Sequence, residues 1–195
     1  MIIGLTGGIG SGKTTVANFF SEFKNVAIYI ADIEAKKLMN TSVIIKDKLI
    51  KEFGDKAFYN NELNRKYISD IVFSNKEKLT TLNGIVHPEV KNHFKEFVKR
   101  NADKSYIIYE NAILFESKSN LFCDLIITVY ASLETKLERV ILRDSTTEKE
   151  VFNRMKNQWK DAKKILQSNY IICNENLDET RNQVNIIHKI LTKKK

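Results

Sequence analysis

A phosphate-binding loop at the start of this chain restricts the folds open to it. The apolar residues 2–5 lead into Gly7-Gly8-Ile9-Gly10-Ser11-Gly12-Lys13-Thr14, the complete pattern of a glycine, four residues and Gly-Lys-Thr. In such a P-loop successive backbone N–H groups point at phosphate oxygens, and the helix that follows directs its positive end at the same phosphates. The lysine reaches the β- and γ-phosphates, and the threonine hydroxyl ligates magnesium. The chain is therefore predicted to bind a nucleotide polyphosphate.

Short apolar runs and helical patterns alternate along the chain. Most of the runs are unbroken, as expected for strands covered by helices on both faces. The sequence therefore predicts an α/β fold with a five-stranded parallel sheet flanked by helices, with ligands at the carboxyl ends of the strands. The predicted strands are residues 2–6, 27–30, 106–109, 125–130 and 170–173.

Two segments interrupt this alternation and are predicted to be helical insertions. Residues 32–103 carry several amphipathic stretches and are expected to cover the ligand edge of the sheet. Residues 132–164 are highly charged, and Thr147 and Glu150 have the spacing of a capping box that starts a helix. We interpret this second segment as a lid. Residues 1–31, 104–131 and 165–195 then form the nucleotide-binding core.

Composition narrows the classes of protein that fit. An apolar content of 43% over 195 residues supports one sizeable domain with inserted parts, and no segment approaches the roughly 20 apolar residues of a bilayer span. Cys123 and Cys173 are far apart and suggest free thiols in a reducing cytoplasm. The net charge of +8 allows nucleic-acid binding, but no nucleic-acid motif accompanies it. We therefore expect neither a nucleic-acid nor a membrane partner.

Asp32 follows the second predicted strand and should emerge at the ligand edge. A carboxylate there can accept a proton from an attacking hydroxyl or help position magnesium. The alternative is a helix N-cap, a position that aspartate fills well. Its place in the sequence leaves both interpretations open.

Arginines in the predicted lid form a second candidate group. Arg139 and Arg143 are four residues apart and share one helix face, and Arg154 and Gln158 repeat that spacing. Guanidinium groups that close over a transferring phosphoryl group stabilise its spreading negative charge. The alternative is a solvent-facing helix paired with acidic neighbours such as Asp144. The P-loop favours the lid.

Further acidic and imidazole groups have weaker signals. Glu110 ends the third strand and Glu116 follows one turn later, so either could join a magnesium shell or simply anchor a turn. His87 precedes Pro88, which is expected to start a new helix. A lone histidine is more often structural than catalytic.

These features favour a small-molecule kinase over other P-loop classes. A GTPase would carry an Asn-Lys-x-Asp signature, and residues 75–78 lack its aspartate. A lid that excludes water suits phosphoryl transfer to a small acceptor. The alternatives are another nucleotide, nucleoside or small-alcohol kinase, a nucleic-acid-associated ATPase, and a non-catalytic nucleotide-binding regulator.

The motifs closely resemble those of the dephospho-coenzyme A kinase family, in the same order along nearly the whole chain. The resemblance covers the P-loop, Ala31-Asp32, Asn64-Arg65, the Leu-Phe-Glu turn at residues 114–116, and the lid arginines. It also covers residues 85–88, which end in His87-Pro88, and the strand that precedes Asn174.

The resemblance implies that ATP, with Mg²⁺, phosphorylates the ribose 3′-hydroxyl of dephospho-CoA to give CoA and ADP. Catalytic roles fall to Lys13, Asp32, Arg139 and Arg143, with Arg143 closest to the transferring group. Asp32, Arg65 and His87 are expected on the acceptor side, and Thr14 on magnesium. The expected ATP-binding residues are Gly8, Gly10, Ser11, Gly12, Lys13, Thr14, Thr15 and Asn174, the last near the adenine.

Overall fold

The structure is a computed structural model that describes residues 1–193, with only the backbone of Phe73 and Ser74. The chain divides into two compact units, residues 1–30 with the chain from residue 101 onward, and residues 31–100. The strands are β1 Ile2–Thr6, β2 Val26–Ile30, β3 Phe58–Tyr59, β4 Glu62–Leu63, β5 Tyr106–Glu110, β6 Leu125–Tyr130 and β7 Tyr170–Cys173. The α-helices are α1 Lys13–Ser21, α2 Ala31–Thr41, α3 Val43–Phe53, α4 Arg65–Ser74, α5 Lys76–Arg100, α6 Leu133–Asp144, α7 Glu148–Met155, α8 Asp161–Leu166 and α9 Leu177–Lys193.

The first unit is built on a five-stranded sheet in the order β2-β5-β1-β6-β7. Every neighbouring pair is parallel, so the carboxyl ends of all five strands meet at one edge. The predicted α/β fold and its five strands are confirmed. The boundaries differ by one residue at two points, because β2 begins at Val26 and β5 continues to Glu110.

The apolar strand residues explain why this sheet forms. Ile3 and Leu5 of the central strand β1 are fully buried, and helices α1 and α9 supply the apolar residues that pack in the same cluster. Val16 and Phe20, which are four residues apart and so share one helix face, give α1 its buried face. The cluster comprises Ile3, Leu5, Val16, Ala17, Phe20, Val26, Tyr106, Ile108, Ile127, Val129, Ile172, Val184, Ile187 and Leu191.

The second unit contains helices α2 to α5 and a short hairpin of β3 and β4. The hairpin was not predicted, because only four residues pair across it. Its two-residue loop, Asn60-Asn61, has positive φ angles of 47° and 65°. Asparagine tolerates this left-handed backbone, which the tight turns of hairpins require.

The prediction that Pro88 starts a new helix is wrong. Helix α5 continues through this residue from Lys76 to Arg100. Proline lacks the N–H that would bond to the carbonyl of residue 84, and its ring crowds that carbonyl. Residue 84 is a glycine, whose backbone adjusts more easily than that of other residues. Within the part of the chain that the structure describes, no helix combines the length and hydrophobicity of a bilayer-spanning segment.

Candidate active site

The P-loop lies between β1 and α1, at the carboxyl edge of the sheet. Gly12 occupies the N-cap of α1 with φ 82° and ψ 28°, and Val16 N–H closes the first turn on its carbonyl at 3.1 Å. Ser11 N–H donates to the Gly8 carbonyl at 3.1 Å, which curls the loop. The α1 N-terminus therefore faces the loop, where its dipole favours a bound anion.

Lys13 is buried in the loop that it completes. Only 8% of the residue is exposed, and its Nζ donates to the Gly8 carbonyl at 3.2 Å. The ammonium group is thus folded back over the loop rather than extended into solvent. This arrangement concentrates positive charge where the loop amides converge, as polyphosphate binding requires.

Thr14 lies beside the carboxylate that ends β5. Its Oγ1 donates to Glu110 Oε2 at 3.4 Å, and Glu110 is 4% exposed. A hydroxyl and a carboxylate are hard oxygen donors, and Mg²⁺ in nucleotide sites uses one or two protein oxygens together with phosphates. This pair fits a magnesium ion at the end of the P-loop, although no cluster of three or more metal-ligating side chains occurs among the described residues.

Glu116, the other candidate for the magnesium shell, lies in a different environment. Its Oε1 accepts from the Trp159 N–H at 2.6 Å and lies 3.3 Å from Lys164 Nζ. Lys164 is fully buried and also donates to the Ala112 carbonyl at 2.6 Å. Burial lowers the pKa of Lys164, while Glu116 opposes that shift. Through Oε1, Glu116 anchors the turn after β5, whereas its Oε2 is buried and has no hydrogen-bond partner among the described residues.

Helix α6 closes a cavity of about 240 Å³ over the P-loop. Arg139 and Arg143 both line it, so the predicted helix face does carry both guanidinium groups. The Arg139 Nη1 is buried and has no hydrogen-bond partner among the described residues. It lies 3.6 Å from the position that a Cβ on Gly12 would occupy. A buried donor beside a phosphate-binding loop is in place to donate to a phosphate oxygen.

Arg143 also makes the ion pair that the alternative interpretation predicts. Its Nε and Nη2 donate to the two carboxylate oxygens of Asp144 at 2.8 and 3.0 Å, and Arg154 Nη1 donates to the same carboxylate at 2.6 Å. These contacts lower the pKa of Asp144 to about 2, mainly through Arg143. The two interpretations are compatible, because the same side chain lines the cavity.

Residues after α7 tie the lid segment to the P-loop. Gln158 Oε1 accepts the Ile9 N–H at 2.9 Å. Helix α7 begins with the predicted capping box but ends at Met155, so Arg154 and Gln158 do not share a helix face, contrary to their spacing. The chain leaves the helix before residue 158 and turns toward the loop.

An ion pair that the sequence interpretation missed supports the same contact. Lys136 of α6 pairs with Asp161 of α8, and both side chains are largely buried. A Cβ on Gly10 would lie 2.5 Å from the Lys136 carbonyl, and one on Gly8 would lie 2.9 Å from Asp161 Oδ1. The sequence offered no local signal for this pair, because its two members lie 25 residues apart on different helices.

Asn174 follows β7 and contacts the P-loop backbone. Its Nδ2 donates to the Ser11 carbonyl at 2.8 Å, and the residue is 1% exposed. Thr15, the last of the expected loop residues, also lines the cavity. The resemblance implies that Asn174 lies near bound ATP, and in the structure its side chain contacts the P-loop itself.

The expected acceptor residues all belong to the second unit, on three different helices. Asp32 is the second residue of α2 and is exposed, so it is not the N-cap of that helix. Arg65 begins α4 after Asn64, whose side chain accepts the Tyr67 N–H at 3.2 Å as an N-cap. His87 lies on the exposed side of α5, and partial desolvation lowers its pKa.

Comparison with known proteins decides the family. Residues 1–179 match the family model described as Dephospho-CoA kinase. The chain belongs to the dephospho-CoA kinase family. A Dephospho-CoA kinase of Fusobacterium nucleatum is 40% identical over 181 residues, covering 92% of each chain. A Dephospho-CoA kinase of Bacteroides fragilis is 35% identical over 173 residues, covering 89% of this chain and 84% of the relative.

Solved structures agree with this assignment at the level of the fold. A crystal structure from Thermus thermophilus superposes with a TM-score of 0.85 at 27% identity, covering 99% of this chain and 97% of the other. A dephospho-CoA kinase from Campylobacter jejuni gives a TM-score of 0.65 at 22% identity, with 98% and 97% coverage. The resemblance that the motifs indicated is therefore confirmed, and the P-loop belongs to a kinase of this family.

Proposed function

We propose that the cavity between the P-loop and α6 is the site where this dephospho-CoA kinase transfers phosphate. The enzyme moves the γ-phosphoryl group of ATP to the ribose 3′-hydroxyl of dephospho-CoA, giving CoA and ADP in the last step of coenzyme A biosynthesis. The observation that carries the placement is the cavity itself, which has the P-loop on one side and Arg139 and Arg143 on the other.

The donor phosphates are held by the loop. Lys13 and the N–H groups of the loop bind the β- and γ-phosphates, and Arg139 supplies its unused Nη1 to an oxygen beside Gly12. Arg143 lines the same cavity from the next turn of α6. As the γ-phosphoryl group leaves ADP, its negative charge spreads over three oxygens, and the two arginines stabilise that charge.

Thr14 and Glu110 are the residues that would hold Mg²⁺. The metal supplies electrostatic stabilisation of the phosphate oxygens when it is bound. The role of the protein is to keep the hydroxyl and the carboxylate next to each other, which the 3.4 Å contact between them achieves. Because Glu110 ends a strand paired on both sides, its backbone is fixed by the sheet.

Asp32 is the proposed base for the acceptor hydroxyl. Helix α2 begins directly after β2, whose carboxyl end belongs to the same edge of the sheet as the P-loop. An exposed carboxylate at the start of that helix can accept the 3′-hydroxyl proton. Arg65 and His87 are proposed to contact the acceptor from the same unit.

The cellular setting follows from the substrates. ATP and dephospho-CoA are cytoplasmic metabolites, and both cysteines are free thiols, as in a reducing compartment. We therefore place the enzyme in the cytoplasm and expect no nucleic-acid or membrane partner. We attribute the net positive charge of the protein to sites that bind polyphosphate ligands and to a lysine-rich surface.

An ADP-release assay with a panel of acceptors tests the function. Turnover is expected with dephospho-CoA and not with adenosine, AMP or shikimate. Turnover of one of the others alone would establish a different small-molecule kinase. ATP hydrolysis stimulated by single-stranded DNA would indicate an ATPase, and tight ATP binding with no turnover would indicate a regulator.

Asp32→Asn tests the proposed base. The amide cannot accept the hydroxyl proton, so kcat should fall by about 100-fold or more while the Kd for ATP stays within about twofold. Steady-state kinetics and calorimetric ATP binding give the two values. Arg65→Ala serves as the comparison variant and should mainly raise the KM for dephospho-CoA. An unchanged kcat in Asp32→Asn would remove the role assigned to this carboxylate.

A further inference from the structure

Asn174 is bound inside the protein through several of its polar groups. Its backbone N–H donates to the Tyr130 carbonyl at 2.8 Å, which continues the pairing of β6 with β7 beyond the end of the strand. Its Nδ2 donates to Ser11 O at 2.8 Å, and its Oδ1 lies 3.0 Å from the hydroxyl of buried Thr180. That hydroxyl has one proton to donate, and the carbonyls of Asn176 and Cys173 lie 2.7 and 3.3 Å from it as further acceptors. Because a carbonyl can only accept, the Ser11 contact fixes which end of the amide is Nδ2.

The contact with Ser11 determines which way one loop amide points. The peptide bond between Ser11 and Gly12 is planar and trans, so its C=O and N–H point in opposite directions. Asn174 draws the carbonyl to its own side. The Gly12 N–H must then face away from Asn174, and a carbonyl oxygen that would repel phosphate is kept out of the nest.

The side chain of Asn174 also fills the space beside Gly12. A Cβ on this residue would lie only 2.0 Å from Asn174 Nδ2. Gly12 also has a left-handed φ of 82°, which side chains rarely adopt. Asn174 therefore occupies the space that a side chain at position 12 would need.

We propose that Asn174 is a positioning residue for the phosphate donor, which orients the Ser11–Gly12 peptide of the P-loop, with the Thr180 hydroxyl beside its amide oxygen. This goes beyond the proposed function, on which it rests, and replaces the expected contact with adenine. A side chain that is 1% exposed, with its Nδ2 on the loop and its Oδ1 beside Thr180, has little surface left for a base.

Binding of inorganic tripolyphosphate separates the two roles, because this ligand has no adenine. Asn174→Leu keeps a similar volume and removes both polar groups. We expect its Kd for tripolyphosphate, measured by calorimetry, to rise about 10-fold, the scale of one lost hydrogen bond. The ratio of kcat/KM for ATP over GTP should stay within about twofold of the wild-type ratio.

A second pair of variants keeps the test decisive if Asn174→Leu does not fold. Thr180→Val removes the hydroxyl beside Asn174 Oδ1 and should weaken tripolyphosphate binding by about threefold, whereas Thr180→Ser keeps the hydroxyl and should bind as the wild type does. Unchanged tripolyphosphate binding in folded Asn174→Leu and in Thr180→Val would overturn the proposal. So would a collapse of the ATP-over-GTP ratio with tripolyphosphate binding intact.

The controls keep failure of this proposal apart from failure of the proposed function. Wild-type turnover of dephospho-CoA and wild-type binding of tripolyphosphate establish that the site works as a kinase. Circular dichroism and thermal melting establish that each variant is folded. A general loss of structure would weaken tripolyphosphate binding and change the ATP-over-GTP ratio together, whereas the proposal requires that the ratio persist.

Discussion

Arg143 and Arg139 line one cavity but differ in what they already contact. Arg143 is paired with Asp144, whereas Arg139 has a buried Nη1 with no partner in the described part of the chain. A bound triphosphate would satisfy Arg139 in the ground state. We propose that Arg143 makes the interaction that strengthens as charge moves, because its ground-state partner is already the Asp144 carboxylate.

Arg143→Ala should therefore lower kcat more than it weakens ATP binding. We expect a fall in kcat of about 100-fold, the usual cost of removing one donor to transition-state charge, and a change in the Kd for ATP of less than about fivefold. Arg143→Lys should recover part of the rate, since it keeps the charge but not the planar fork. Equal effects of Arg143→Ala on kcat and Kd would assign the residue to simple binding.

The carboxylate of Asp144 gives a measurable pH dependence. Its pKa is lowered from 3.8 to about 2, so the stabilisation from its pairing is complete above pH 4 and is lost as the pH falls through 2. A carbon-13 NMR titration should give a midpoint near 2. Arg143→Ala should raise that midpoint more than Arg154→Ala does, and a midpoint near 3.8 in the wild-type protein would contradict the observed pairing.

The residue scale also shows the limit of prediction from sequence. Lys13 and Thr14 could be assigned at once, because the spacing of the P-loop fixes their places relative to the phosphates. The ion pair of Lys136 and Asp161 could not be predicted, because no fixed sequence spacing indicates a buried pair between two helices. Glu116 was ambiguous for the same reason, because its partners lie more than 40 residues away.

At the scale of elements, the segment between α7 and the end of α8 connects three parts of the site. Gln158 reaches the P-loop, Asp161 reaches α6, and Trp159 and Lys164 reach the turn after β5. The rings of Phe115 and Trp159 also stack with centroids 5.3 Å apart. One short stretch of chain thereby sets the position of the lid segment relative to the loop.

Lys164→Ala should weaken this connection markedly. It leaves Glu116 largely buried without its cation, which costs about 3 kcal/mol of unfolding free energy. Urea denaturation measures the loss. The double variant Glu116→Gln with Lys164→Met should recover much of it, because no unpaired charge then remains. A loss below about 0.5 kcal/mol in Lys164→Ala would show that the buried pair is not a major support.

Helices and strands could be predicted where a local pattern of apolar residues extends over enough positions to be recognised. The five parallel strands follow from short apolar runs, most of them unbroken, as expected for strands covered by helices. The β3–β4 hairpin pairs only four residues, too few to show the alternation of apolar and polar residues that marks a strand. Pro88 misled the prediction because the cost of proline within α5 is offset by the packing of that helix, which buries Ile85, Val86, Val90 and Phe94.

For the whole molecule, nucleotide binding and stability are coupled through the loop. A ligand that binds only the folded state at 100 times its Kd adds about 2.7 kcal/mol of unfolding free energy. For a chain of this size MgATP should then raise the melting temperature by about 5–10 °C. Thermal melts with and without MgATP test this, and Lys13→Ala should abolish most of the shift. A full shift in Lys13→Ala would place the nucleotide elsewhere.

The position of β1 in the sheet has a consequence for synthesis. This strand is translated before the other strands, yet both of its neighbours come from residues beyond 105. Its backbone N–H and C=O groups stay unpaired on the ribosome until β5 and β6 emerge, and such non-local pairing is slow. Residues 31–100 form a unit from one continuous stretch of chain. We expect the nascent chain to complete this inserted unit first, with chaperones shielding the strand that preceded it.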